Sequence, residues 1–237
     1  MSKEILKDKS VLITGATGGL GYAIAKELAP LVGCLFLSGR NQRKLNIVKQ
    51  ELSIFNDNIV LYEADFCKAG DVLGLATAAL SQKIDILINS AGIFPLKNLA
   101  DSYLEDYNNC FDINVKAPFL LSNALSKHMK GKGWGRIVNI CSSSSYSGSK
   151  DSGLYCASKH ALLGLGRSLY KELKGHGIRV FSVAPGSIQT DMGKTDTRQN
   201  FETFLNPEEV AEYISFIISY DRELVSEEIR INRFVIE

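Results

Sequence analysis

Short apolar and β-branched runs alternate along the chain with longer stretches whose apolar residues recur at helical spacing. Strands are predicted near 10–14, 34–38, 58–62, 85–89, 136–140, 178–183 and 228–232. Helices are predicted near 19–31, 41–54, 69–81, 103–130, 154–174 and 207–219. This order predicts an α/β fold with a doubly wound, seven-stranded parallel sheet and helices on both faces. Such sheets bind ligands beyond the carboxyl ends of their strands, so functional residues are expected directly after strands.

Composition places this pattern in one domain. The chain has 237 residues, of which 45% are hydrophobic and 22% charged, as in an ordinary globular domain. We therefore expect a single domain over 1–237. The 27 basic and 26 acidic residues nearly cancel, which argues against a nucleic-acid partner. The charged start of the chain and the lack of an apolar run of ~20 residues predict a cytoplasmic protein without a membrane partner.

Cysteine and histidine are not arranged for metal or disulfide chemistry. The five cysteines are scattered and form no Cys-x-x-Cys pair, so they are predicted to be small core residues and no metal site is expected. His128, His160 and His176 have no catalytic spacing, and each is predicted to be packed or solvated.

A glycine-rich segment follows the first predicted strand and opens the first predicted helix. Glycine permits a tight turn and a close backbone approach, and a helix N-terminus offers free N–H groups to an anion. The segment therefore predicts a Rossmann-type turn that binds the pyrophosphate of a dinucleotide. The expected contacts are Gly15, Thr17, Gly18, Gly19, Leu20 and Gly21.

A second candidate site follows the fifth predicted strand. Tyr155 and Lys159 are four residues apart on a predicted helix and therefore share one face. An ammonium near a phenol lowers a pKa that is ordinarily ~10, so Tyr155 is expected to exchange a proton with a substrate oxygen. Ser142 ends the strand and opens a serine-rich segment, 142–153, which we interpret as an active-site loop.

These motifs resemble those of the short-chain dehydrogenase/reductase family. The resemblance rests on the Gly-x3-Gly-x-Gly turn and on the spacing Ser142-x12-Tyr155-x3-Lys159, and it extends from Ser10 to about Asn232. It implies hydride transfer between a nicotinamide cofactor and a small carbonyl or alcohol substrate. Ser142, Tyr155 and Lys159 are then the catalytic residues, and Tyr155 and Lys159 also contact the cofactor.

The resemblance makes Asn114 a fourth catalytic residue, whose carbonyl holds a water that links the lysine to solvent. The residues themselves add an argument. Pro118 cannot donate the helical hydrogen bond to the Asn114 carbonyl, which leaves that oxygen free. We expect one long helix over 103–130 that is kinked at this point.

Further cofactor contacts are implied by the resemblance alone. Residues after the third strand are expected at the adenine, residues after the fourth along the ribose, and residues after the sixth at the nicotinamide. Asn89 is expected to act chiefly as a tie between strands, and capping of the helix near 69 is an alternative role for Asp65. The residues are Asp65, Phe66, Asn89, Ala91, Gly92, Pro185, Gly186, Ile188 and Thr190.

The end of the second predicted strand indicates which dinucleotide is bound. NAD-binding units place an acid there, which would repel a 2′-phosphate. This chain has no acid there but offers Ser38, Arg40 and Asn41, with Arg43 as a second cationic candidate. A guanidinium matches phosphate oxygens, and family members with arginine here generally prefer the phosphorylated cofactor. The predicted cofactor is NADP(H).

The substrate is not fixed by the sequence. Reduction of a 3-oxoacyl thioester or another ketone is the leading hypothesis. A pterin or diketone reductase similar to sepiapterin reductase is the alternative, because the short tail after Glu227 to Ile229 resembles that group. A regulator that senses dinucleotide without turnover is disfavoured, because Ser142, Tyr155 and Lys159 are all present.

The surroundings of the substrate are predicted more coarsely. A lid is expected over 192–206, with a partly apolar pocket lined by Phe94, Tyr146, Leu154, Met192 and Phe201. A homodimer or homotetramer is expected through helices 103–130 and 154–174, which are apolar on more than one face. The tail 233–237 departs from the glycine-ended segment of the family.

Overall fold

The computed structural model describes residues 3–234 and contains a sheet of seven parallel strands, as predicted. The strand order is β3-β2-β1-β4-β5-β6-β7. The strands are β1 (Ser10–Thr14), β2 (Cys34–Gly39), β3 (Ile59–Glu63), β4 (Ile86–Asn89), β5 (Gly135–Ile140), β6 (Ile178–Pro185) and β7 (Glu228–Ile231). The chain turns back across the sheet between β3 and β4, which places the topological switch between β1 and β4. A ligand crevice is expected at that point.

Helices cover both faces of the sheet. They are α1 (Gly19–Leu28), α2 (Gln42–Leu52), α3 (Ala69–Ser81), α4 (Leu104–Phe111), α5 (Ala117–Lys132), α6 (Gly153–Leu173) and α7 (Pro207–Ser219). Side chains alternate along each strand, so Val11 and Ile13 pack with α1, α2 and α7. Leu12, between them, packs on the opposite face with α3 and α5. The fold is therefore a three-layer α/β domain.

The long helix expected over 103–130 is three segments. A π-helical turn, Asp112–Lys116, separates α4 from α5, and the Ala117 N–H donates to the Asp112 carbonyl five residues earlier. Pro118 stands in the first turn of α5, where its missing N–H is tolerated. The proline thus replaces the expected kink with a π turn, which places Asn114 at its centre.

The first helix is shorter than its sequence predicts. It was expected to run to residue 31 but ends at Leu28. Ala29 still has helical geometry, and Pro30 has no N–H with which to continue the helical hydrogen bonds. No helix within residues 3–234 is long and apolar enough to cross a membrane. The predicted tail departure is described only at Arg233 and Phe234, and residues 235–237 lie outside the described range.

Candidate active site

The glycine turn after β1 is shaped by close backbone contacts. Gly15 has φ +67°, and a Cβ there would lie 2.8 Å from the Ala91 Cα. A Cβ at Gly21 would overlap the Gly15 carbonyl oxygen. The N-terminus of α1 has no side-chain cap, so its first amides are available to an anion. The turn therefore has the close backbone approach and the free amides that a pyrophosphate site requires.

A cavity of about 820 Å³ runs from this turn across the carboxyl ends of the strands. Thr14 holds the segment after β4 at the middle of this cavity. The Thr14 Oγ1 accepts hydrogen bonds from the Ser90 and Ala91 amides, both at 3.1 Å. Most of the residues predicted from the sequence line this one cavity. They are Gly15, Thr17, Gly18, Gly19, Leu20, Gly21, Arg40, Asn41, Asp65, Phe66, Ala91, Gly92, Ser142, Tyr155, Lys159, Pro185, Gly186, Ile188 and Thr190.

Two predicted cofactor residues do not line the cavity. Ser38 is fully buried, since its strand alternates and Gly39 takes the cavity side. Asn89 is also buried, and its Nδ2 donates to Asn139 Oδ1 at 2.9 Å, which ties β4 to β5. Asp65 lines the cavity but is not the cap of α3. Its Oδ1 accepts from the Cys67 amide, and the capping position belongs to Lys68.

Helix α6 brings Tyr155 and Lys159 to the cavity beside Ser142. The Ser142 hydroxyl is held at the end of β5 by accepting from the Ser144 amide at 3.1 Å. The Tyr155 ring packs edge-on against Phe94, with ring centroids 4.7 Å apart. Lys159 is buried, and its Nζ donates to the Ile140 carbonyl at 2.7 Å. The three side chains expected to act together are therefore neighbours.

The electrostatics of the pair differ from the expectation. Burial raises the pKa of Tyr155 to about 12, while a hydrogen bond with Ser142 acts in the opposite direction. Burial also lowers the pKa of Lys159. The Lys159 Nζ lies 5.6 Å from the phenol ring centroid and is turned to Ile140. Loss of solvation therefore outweighs the expected effect of the ammonium on the phenol.

Asn114 contacts the active site through its side chain rather than lining the cavity. Its Oδ1 accepts from the Ile93 amide at 2.9 Å, and its Nδ2 donates to the Ile93 carbonyl at 3.0 Å. The same Nδ2 lies 3.0 Å from Ser158 Oγ, and that hydroxyl donates to the Tyr155 carbonyl. The π turn is thereby joined to the loop after β4 and to the catalytic turn of α6.

The far end of the cavity is cationic. Arg40 and Asn41 line it as predicted, whereas Arg43 does not. Lys44, which was not predicted from the sequence, lines the cavity in place of Arg43. Asn41 caps α2 by accepting from the Lys44 amide, so the helix phase turns residue 44 toward the cavity. The Asn41 cap was the signal that could have found it.

The substrate end was predicted least well. Phe94 and Met192 line it, but Tyr146, Leu154 and Phe201 do not. Tyr146 instead packs beside α6, and its hydroxyl donates to Glu228. The residues of the lid and tail that line the cavity were missed because no periodic pattern marks them. They are Gly193, Asp196, Arg198, Gln199, Phe204, Asn232 and Arg233.

The domain is, in class, a dinucleotide-binding oxidoreductase, since one crevice holds both an anion-binding turn and a half-buried tyrosine beside a buried lysine. A model of the short chain dehydrogenase family matches residues 9–200. The 3-oxoacyl-[acyl-carrier-protein] reductase FabG of Rickettsia bellii is 34% identical over 223 residues, which is 90% of either chain. The chain belongs to the short-chain dehydrogenase/reductase family.

Solved structures agree with this assignment. A metagenomic short-chain oxidoreductase in complex with NADP has a TM-score of 0.85 at 27% identity, over 99% of this chain and 100% of that one. Levodione reductase has a TM-score of 0.87 at 26% identity, over 96% of each chain. Both similarities cover nearly the whole chain, so the fold is shared from one end to the other.

Proposed function

We propose that the protein is an NADP(H)-dependent oxidoreductase that interconverts a carbonyl and an alcohol. The observation that carries the proposal is the cationic end of the cavity. Arg40 and Lys44 line it where an NAD-binding unit would place an acid, and Gly39 leaves room beside them. Two cations suit a 2′-phosphate. The NADP complex of the metagenomic relative supports this choice.

When bound, the nicotinamide supplies or accepts the hydride, and the protein supplies position and a proton. Ser142 and Tyr155 hold the substrate oxygen between two hydroxyls. Tyr155 donates its proton to that oxygen in reduction and accepts one in oxidation. The phenol of Tyr155 is protonated at neutral pH, since burial raises its pKa, and this is the form that donates a proton in reduction.

Lys159 and Asn114 complete the proposed proton path. Lys159 is buried beside Gly92, and we assign both residues to the ribose of the cofactor. The Asn114 carbonyl lies in the π turn before Pro118, where the helical donor is missing. We assign that carbonyl the water that connects Lys159 to solvent. The Asn114 side chain holds the loop after β4 in place.

The leading substrate is a 3-oxoacyl thioester, which is supported by the reductase of Rickettsia bellii at 34% identity. A diketone or pterin reductase is the second candidate. Of these two, the diketone reductase is favoured by the fold match to levodione reductase, whose name denotes a diketone. The experiment is a panel of acetoacetyl thioesters, diketones and pterins, with NADPH oxidation followed by absorbance. Failure to oxidise NADPH with any of them, while cofactor still binds, would favour a dinucleotide-sensing regulator.

Cofactor choice is tested by measuring kcat/KM for NADPH and NADH in the wild type and in Arg40→Ala and Lys44→Ala. Loss of a charged hydrogen bond costs ~1.5–3 kcal/mol, so each variant should lose about 10- to 100-fold of its preference for NADPH. Arg43→Ala is the matched control, because Arg43 lies between them in sequence and does not line the cavity. Equal use of both cofactors by the wild type would refute the assignment.

We also infer a homodimer or homotetramer through α4, α5 and α6. Large apolar side chains are exposed on the first two of these helices, including Leu104, Tyr107 and Phe119. An exposed apolar patch of this kind is typical of an interface. Light scattering at micromolar concentration should give a multiple of the 26.0 kDa chain mass, and a monomer would contradict the inference.

A further inference from the structure

The segment that follows β7 brings a cation to the substrate end of the cavity. The Gly186 amide donates to the Ile231 carbonyl at 2.8 Å, so the residues after β7 run beside the segment after β6. Arg233, two residues further on, lines the cavity. Its guanidinium carbon lies 5.4 Å from the centre of the Phe204 ring, which lines the same cavity. The arginine is thus held at the pocket rather than extended into solvent.

The protein partners of Arg233 are neutral. Its Nη1 donates to Thr203 Oγ1 at 2.6 Å, and its Nη2 donates to Gln199 Oε1 at 3.1 Å. Arg233 forms no ion pair with a carboxylate of residues 3–234. These two bonds use only part of a donor set of five N–H groups. Within residues 3–234, its positive charge is therefore not offset, and part of its donor set is unused at the cavity wall.

The lid cation that lines the cavity is already neutralised. Arg198 also lines the cavity, but its Nε lies 2.7 Å from Asp196 Oδ1 and its Nη2 lies 3.0 Å from Asp196 Oδ2. The bidentate pair satisfies that guanidinium within the lid itself. Arg233 differs from Arg198, because neutral oxygens hold it in place without cancelling its charge.

We propose that Arg233 binds an oxyanion of the substrate, a carboxylate or a phosphate, while the substrate carbonyl faces Ser142 and Tyr155. The proposal rests on the proposed function, the reduction of a ketone with NADPH, and within it selects ketones that carry an oxyanion, keto acids or keto phosphates, ahead of the thioesters, diketones and pterins named above. A planar guanidinium matches two oxygens of either group, and Phe204 shields one side of the contact from water. Arg233 is then a residue that determines specificity and takes no part in proton transfer.

The test compares matched pairs of ketones that differ in charge. The first pair is 5-oxohexanoate and its methyl ester, and the second is dihydroxyacetone phosphate and dihydroxyacetone. In the wild type, kcat/KM should be about 10- to 100-fold higher for the charged member of the preferred pair. Arg233→Gln should abolish that ratio, and Arg233→Lys should retain part of it. The two pairs separate carboxylate from phosphate recognition.

Arg230→Gln is the control, because Arg230 lies on β7 and does not line the cavity, so the charged-to-neutral ratio should not change. If Arg233 served only to hold the lid, Arg233→Gln would lower kcat/KM equally for both members of a pair, and this would overturn the proposal. Equal use of charged and neutral ketones by the wild type would also overturn it, while leaving NADPH-dependent reduction intact. If no ketone of any kind were reduced, the proposed function itself would fail.

Discussion

The two ends of the crevice are held together by different kinds of contact. At the pyrophosphate end, backbone meets backbone, as where Gly15 approaches Ala91 and Gly21 approaches the Gly15 carbonyl. At the substrate end, side chains meet side chains, through the Arg198–Asp196 ion pair and the hydrogen bonds of Arg233. Backbone contacts tolerate little change, whereas side-chain contacts can be exchanged singly. The first end therefore suits a constant ligand and the second a ligand that varies between relatives.

We expect the largest loss of function from a substitution at the proton donor Tyr155. A substitution at the backbone contacts should have a smaller effect, and one in the lid the smallest. Tyr155→Phe removes the proton donor and keeps the ring against Phe94. We expect kcat to fall ~10²–10⁴-fold while the dissociation constant for NADPH stays nearly unchanged. Steady-state kinetics and fluorescence titration with NADPH measure the two quantities.

Tyr146→Phe is the matched control for that experiment, because the Tyr146 hydroxyl binds Glu228 and the residue lies outside the cavity. Its kcat should remain close to that of the wild type. A Tyr155→Phe enzyme that kept more than about a tenth of wild-type kcat would rule out the tyrosine as proton donor.

Gly21→Ala tests the backbone-built end. The added Cβ would meet the Gly15 carbonyl, which belongs to the fixed turn and cannot yield cheaply. We expect about 1–3 kcal/mol lower unfolding free energy, as for overpacked interiors, and at least about tenfold weaker NADPH binding. Urea unfolding and NADPH titration give the two values.

Gly131→Ala provides the contrast within a helix. A Cβ at Gly131 would meet nothing within 4 Å, and the residue lies near the end of α5. Alanine there should leave NADPH binding unchanged and raise stability by up to ~1 kcal/mol. If both substitutions weakened NADPH binding to the same degree, the importance of close contact at Gly21 would be refuted.

The lid should show the smallest effect. The Arg198 side chain holds the pKa of Asp196 at about 2, below its ordinary value of 3.8. A depressed carboxyl pKa contributes stability above pH ~4 that is lost as the pH falls toward 2. Arg198→Ala should remove this part of the acid dependence, and KM should change by only a fewfold because the pair lies at the cavity edge. Acid unfolding profiles of the two proteins make the comparison, and identical profiles would contradict it.

The same division explains how far the sequence could be interpreted. The sheet, its order of elements and the glycine turn follow from periodicity and backbone sterics, which are local and recur in sequence. Lys44 was missed because its position depends on the phase that Asn41 gives to α2. Ser38 was misplaced by one residue, which turns a side chain to the other face of a strand. To place a side chain correctly to within one residue, both the capping of the helices and the alternation of side chains along the strands must be considered.

The lid and tail could not be inferred in this way. Phe201 and Tyr146 are apolar enough to suggest a pocket, yet one packs near Phe204 and the other near Glu228. Arg233 reaches the cavity only because β7 pairs with β6 and the chain then continues past Gly186. These contacts join residues far apart in sequence, and no local pattern records them.

The π turn has a consequence for insertions and deletions. The turn holds one more residue than an α-helical turn, because the Ala117 N–H reaches the carbonyl five residues earlier instead of four. Removing one residue from 112–116 would therefore restore regular winding and leave Leu121, Leu125 and Met129 of α5 in the core with α3, but it would displace Asn114 from its contacts with Ile93. The extra residue thus serves the active site and not the core, although no single side chain in the turn reveals it.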